Sequence, residues 1–252
     1  MSGSNQQPCR RVLGVIGAVC LVLIAAGCGS DATVDTSLTR KTPTIVGAVT
    51  GTVFAPNGEF AASDAGWRWA CNFGLLSPAY AQTCLATLMP AGGILNVVLW
   101  QIDRVDAKDG QIDNPRIVNQ ARTDGDGIYQ IIDHAADDLD TCRLMVVVGR
   151  DESLTRAFAI EHTTNIDAVS EAVVRVVLDR ITQSPPVELC AFTNDGLANI
   201  LDQARAAACS AKGSTVAEIN DSAYQHVKVN CGVLQAINDA TGVPLPLPAR
   251  CS

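Results

Sequence analysis

Aromatic residues are scarce in this chain. Trp, Tyr and Phe make up 4% of its 252 residues, although apolar residues make up 48%. A core must therefore be built from Val, Ile, Leu and Ala. Bases are also few, 18 Lys and Arg against 26 Asp and Glu, giving a net charge of −8. A chain so poor in bases has no broad basic face, which argues against nucleic acid and against electrostatic adhesion to anionic lipid. With three His and no Cys-x-x-Cys pair there is no zinc-ligand spacing. A Gly-x-Ser-x-Gly nucleophile elbow is missing too. The acids Asp103, Asp106, Asp109, Asp113, Asp124 and Asp126 lack the alternation and terminal Glu of an EF-hand loop, and Asp and Gly are the usual residues of turns. No cofactor and no metal is expected.

The N-terminus carries an address. Residues 1–11 are polar and end in Arg10-Arg11, and residues 12–26 are an unbroken apolar and small-residue run. That pattern describes an export signal. The run is shorter than the roughly 18 residues that span a bilayer. Ala25-Ala26-Gly27-Cys28 resembles the bacterial lipobox, which implies acylation at Cys28 and removal of residues 1–27. Ordinary secretion with cleavage near Gly27 is the alternative. Gly29, rather than an acid after the Cys, resembles outer-membrane sorting. Loss of Arg10 and Arg11 takes the balance to 16 bases against 26 acids, or −10. Residues 28–43 are polar and aperiodic, a tether.

Ten cysteines belong to this picture. Cys9 and Cys20 leave with the signal and Cys28 takes lipid, so Cys71, Cys84, Cys142, Cys190, Cys209, Cys231 and Cys251 remain. In an exported chain these read as disulfides. Seven is odd, and Cys142, at the start of an apolar strand, is the expected unpaired one, a small core filler.

Strand patterns follow the tether. Residues 45–54 (IVGAVTGTVF), 94–102 (ILNVVLWQI), 117–122, 127–132, 143–149 and 154–160 (LTRAFAI) are β-branched or apolar runs separated by turn residues. Asn57-Gly58 after Pro56 supplies one turn, and Thr123-Asp124-Gly125-Asp126-Gly127 another. Residues 60–93 break this rhythm as an insertion, expected to be closed by Cys71–Cys84. It holds Trp67, Trp69 and Tyr80, either a ligand or partner surface or a cover for one open face of the sheet. About seven strands point to an antiparallel β-sandwich over residues 44–160.

The order Val49-Thr50-Gly51-Thr52-Val53, Pro56-Asn57-Gly58, Val97-Val98-Leu99, Thr123-Asp124-x-x-Gly127-x-Tyr129 and the apolar run 144–148 resembles the carboxypeptidase regulatory-like, transthyretin-like domain. The resemblance implies a non-catalytic stabilising or binding module. Intradiol dioxygenases share that fold with a two-Tyr, two-His iron site. Tyr80, Tyr129, Tyr224 and the three His do not match its arrangement, so that activity is not carried over.

Residues 161–252 change period and read as a small helical domain, making the whole chain α+β. Residues 167–181 form an amphipathic helix capped by Asp167. Thr193 caps a second helix to about Ala211. Thr215 and Glu218 form a capping box for a third that continues to about Ala240. Residues 243–248 (VPLPLP) must be extended. The four cysteines here allow three pairings. Antiparallel packing of long last helices favours Cys190–Cys231, with the tail returning Cys251 to Cys209. His162, Ser170 and Glu171 lie close in sequence and invite a hydrolytic reading. Without an elbow, a non-enzymatic role is expected: a lipid-anchored structural or interaction protein for an envelope partner, or alternatively a module for glycan or another small ligand.

Overall fold

The computed structural model describes residues 47–60, 85, 87–103, 107–108, 111–133 and 141–251. All lie in one compact unit, Arg40–Ser252. Cys28, Trp67, Trp69, Tyr80, Cys71 and Cys84 fall outside the described residues.

The strands are β1 (Gly47–Thr52), β2 (Phe54–Pro56), β3 (Leu88–Pro90), β4 (Asn96–Asp103), β5 (Ala107–Lys108), β6 (Gln111–Ile112), β7 (Arg116–Arg122), β8 (Ile128–Asp133), β9 (Thr141–Val148) and β10 (Thr155–Phe158). All pairings between these strands are antiparallel. The largest sheet runs β10-β9-β4-β7, and β1 pairs with β8.

β9 reads TCRLMVVV, nearly continuous in apolar residues, because both its faces are covered. Leu144, Val146 and Val148 meet Val49, Val97, Leu99, Tyr129 and Ile131 on the side of β1 and β8. Met145 and Val147 meet the helices on the other side. The four-stranded sheet is thus a middle layer, with one core on each face.

The Thr-Asp-x-x-Gly-x-Tyr element sits where the layers join. Thr123 accepts from Leu95 N (2.8 Å) and donates to Gly93 O (3.0 Å). Asp124 Oδ1 accepts from the N–H groups of Asp126 and Ile128, each at 2.9 Å, so its carboxylate shapes the turn. Gly127 has φ +73°, and a Cβ there would lie 2.9 Å from Val53 O and from Ala91 N and O. Tyr129 is buried and its hydroxyl donates to Thr164 O.

Residues 162–166 run parallel beside β1 and supply an edge the alternation pattern does not announce. Thr50 N donates to His162 O (2.8 Å), Thr164 N to Thr50 O (2.7 Å), Ile166 N to Thr52 O (3.0 Å) and Phe54 N to Ile166 O (2.8 Å). Gly51 lies against this ladder, where an added Cβ would fall 1.8 Å from Thr164 O. Gly51→Ala is therefore expected to cost about 3 kcal/mol through forced separation of the two segments. The urea midpoint measures it, and a cost within error of zero would contradict the close approach.

The helices are α1 (Ala168–Thr182), α2 (Asn194–Ala207), α3 (Val216–Val227) and α4 (Cys231–Thr241). Asp167, Thr193 and Thr215 cap the first three as expected; Asp167 accepts from Ser170 N and Thr215 from Glu218 N. α1 packs on β10 and α3, and α2 on α4. α1 is buried around most of its circumference, with Val169, Val173, Val176, Val177 and Ile181 in the core.

The third helix does not continue to Ala240. It stops at Val227, and Asn230 starts a new helix by accepting from Val233 N (3.2 Å). An Asn side chain that can bond its own downstream backbone favours a cap over a helix interior. This break removes the basis for Cys190–Cys231, because Cys231 becomes the first residue of α4. Cys231 bonds Cys251 instead, with Cα atoms 5.2 Å apart. Cys190, in the turn Leu189–Ala191, bonds Cys142 across a Cα separation of 4.6 Å. Cys142 is therefore a cross-link between sheet and helical layer, not an unpaired filler. Cys209 is disulfide-bonded as well, and Cys251 is not its partner.

Candidate functional site

Leaving β10, residues 159–166 cross below α2 and enter α1 at Asp167. A cleft of about 170 Å³ opens there. Ile160, Val173, Leu197 and Leu201 form its apolar side; Glu161, Asn165, Asp167, Asp202 and Arg205 form its polar side. Arg205 donates to Asp202 at 2.9 Å. Asn194 donates to Ile160 O (3.1 Å) and ties α2 to the segment.

Asp167 is half-buried at the mouth of α1. Burial pushes its carboxyl above the usual carboxylate range, opposed by the Ser170 N–H and the Arg205 charge. A raised acid favours the folded state at low pH and loses that advantage as pH rises through its folded pKa. Asp167→Asn keeps a capping oxygen and removes the desolvated charge. It is expected to leave stability unchanged or raise it by up to about 1 kcal/mol at neutral pH. That gain should vanish below about pH 4, where the wild-type carboxyl is protonated. Paired urea titrations at the two pH values check this; destabilisation by Asn at neutral pH would contradict it.

The hydrolytic candidates are not brought together. His162 is exposed and its Nδ1 lies 3.3 Å from Ala48 O. Ser170 Oγ donates to Arg156 O or Asp167 O, each at 2.9 Å, and accepts from Asp167 N (3.0 Å). Glu171 is 1% exposed, and its carboxylate gathers Arg156 and Arg175. Oε2 accepts from Arg156 N (2.8 Å) and Nε (3.0 Å), while Oε1 accepts from Arg156 Nη2 (2.7 Å) and Arg175 Nε (2.9 Å). Nucleophile, base and orienter would have to share a reacting position. Ser170 and Glu171 instead fasten α1 to β10.

Sequence reasoning missed the role of Arg156, which no motif marks, and the buried Asn220, whose amide donates to Thr155 Oγ1 (3.0 Å) from α3. It also missed Arg180, buried near the end of α1. A lone charged residue inside an apolar helical face is the only signal available for it. Among the described residues no helix is long and apolar enough to cross a membrane. No protein-family model, no curated protein and no solved structure matches this chain.

Proposed function

We propose that the chain is an exported envelope protein, anchored by lipid on Cys28, that serves as a non-catalytic structural or protein-interaction module. In this reading residues 44–160 are a transthyretin-like sandwich of the carboxypeptidase regulatory-like kind. Residues 161–252 are its helical cap, and the anchor places both at the envelope, on the outer membrane.

The observation that carries the reading is the pair of cross-links Cys142–Cys190 and Cys231–Cys251. Bonds of this kind persist in oxidising compartments and are rare in the cytosol. The commitment of Ser170, Glu171 and Arg156 to holding layers together supports a scaffold over a catalyst. A second reading, a module for glycan or another small ligand through Trp67, Trp69 and Tyr80, draws support from the polar-rimmed cleft at α1.

Two measurements test the proposal. Metabolic labelling with palmitate in the native host should mark the chain and disappear in Cys28→Ser; persistent labelling elsewhere, or none, removes the anchor. Cross-linking with mass spectrometry on intact membranes should give reproducible links to one other envelope protein. Links confined to this chain, with saturable glycan binding lost in Trp67→Ala and Trp69→Ala, would replace the interaction reading by the ligand reading.

A further inference from the structure

Gly242 ends α4 in the left-handed region at φ +63°, and the chain then runs from Val243 to Pro248 without helix or strand. Val243, Leu245 and Leu247 are half-buried while Pro244, Pro246 and Pro248 are exposed. The segment is a strap with an apolar underside. Asn238 fixes its middle, donating to Leu245 O (3.0 Å) and accepting from Leu245 N (2.9 Å). Arg180 fixes its start, donating to Val243 O (2.8 Å) and Pro185 O (2.9 Å). Cys231–Cys251 and the bond from Arg250 to Val229 O (3.1 Å) fix its end.

The strap does not fill the space it crosses. A partly open cavity of about 380 Å³ remains beside it, a size within the range of small-molecule sites. Val176, Leu234, Ile237, Leu245 and Leu247 give it apolar walls. Its charged lining is Arg180, Lys228 and Arg250 against Asp179 alone, in a chain of net charge −8. Asp179 is engaged by the Tyr224 hydroxyl, and Lys228 Nζ stands 4.9 Å from the Tyr224 ring centroid.

Arg180 is the decisive residue. It is 1% exposed, its Nε has no acceptor, and no carboxylate among the described residues pairs with it. Two carbonyls solvate the guanidinium but do not neutralise it. Burial lowers its pKa. An uncompensated cation in a low-dielectric wall is costly, and an anion in the adjoining space offsets that cost. The apolar walls add a place for a chain.

We propose that this cavity binds one acyl chain and the anionic head group of an amphiphile. The head lies in the field of Arg180 near Lys228 and Arg250, and the chain lies along Val176, Leu234 and Ile237 beneath the strap. The ligand is a free fatty acid or the acyl chain and head group of an acidic membrane lipid, which share this chemistry.

Calorimetric titration of the purified chain with laurate, kept below micelle formation, tests the proposal. Saturable 1:1 binding is expected, with dodecyltrimethylammonium, a cation of the same chain length, bound about tenfold more weakly or less. Leu234→Trp fills the cavity, and Lys228→Glu with Arg250→Glu reverses two exposed charges. Each variant is expected to weaken laurate binding about tenfold while the circular dichroism melt is retained. Equal binding of the two detergents overturns the proposal, as does absence of saturable laurate binding or unchanged affinity in both variants. Sedimentation of the Cys28→Ser chain, which carries no anchor, with phosphatidylglycerol vesicles then separates the sources. Pelleting that is lost on adding Leu234→Trp assigns a membrane lipid; no pelleting, or pelleting unchanged by Leu234→Trp, assigns a free fatty acid.

Discussion

A Cys142→Ser, Cys190→Ser double variant is expected to lose about 4 kcal/mol of stability, read as a shift in the guanidinium midpoint. The chain-entropy account gives this size for a cross-link closing 48 residues, since the unfolded chain regains the freedom that the bond removed. The location adds a second consequence. Cys142 follows Thr141 at the start of β9, an inner strand of the sheet, and Cys190 sits in the turn between α1 and α2. Both side chains face apolar neighbours, so serine hydroxyls there would lack the hydrogen bonds that burial demands. Cys→Ala at both positions separates the two effects, because alanine removes the bond without adding a hydroxyl. The alanine pair should retain most of the loss. A loss under about 1 kcal/mol would mean that the sheet and helices hold their relation without the bond. Cys231→Ser, Cys251→Ser closes only 20 residues and should cost less, about 3 kcal/mol.

The pairing could not be read from the chain because it depends on where one helix ends. Everything about the capping of α1, α2 and α3 is local: an Asp or Thr followed by an apolar period is enough, and all three starts agree with the structure. Asn230 carries the same local signal, but Val227, Cys231, Leu234 and Ile237 continue a helical period across it, and the longer pattern hid the cap. Strand positions were legible wherever alternation or β-branching marked them, as in residues 45–54 against β1 and β2. The edge at residues 162–166 was not, because its sequence, His162 to Ile166, is mostly polar and its partners lie 112 residues and more away. The Thr-Asp-x-x-Gly-x-Tyr element was visible as a motif, while its work was not. The bond from Tyr129 to Thr164 O appears only when the two layers are in place.

Glu171→Ala is expected to remove 3–5 kcal/mol, on the order of a broken buried ion pair. Four donors converge on this one carboxylate, and three of them come from Arg156 on β10. Removing it leaves the Arg156 guanidinium, 15% exposed, and its backbone N–H without their acceptor between strand and helix. The cost is therefore chiefly that of abandoned donors rather than of lost Coulomb attraction. Two further variants distinguish these. Glu171→Gln keeps the shape and one acceptor oxygen but turns an amide donor toward a cation, so about half the loss should remain. Arg175→Ala removes a partner that is 28% exposed and bonded at one atom, and about 1 kcal/mol is expected. The order Ala, then Gln, then Arg175→Ala in guanidinium midpoints would establish Glu171 as the fastening between α1 and β10. Equal small losses for all three would leave the Arg156–Glu171 contact with little net effect on stability, and the sheet–helix relation would then rest on the Cys142–Cys190 bond and the apolar core alone.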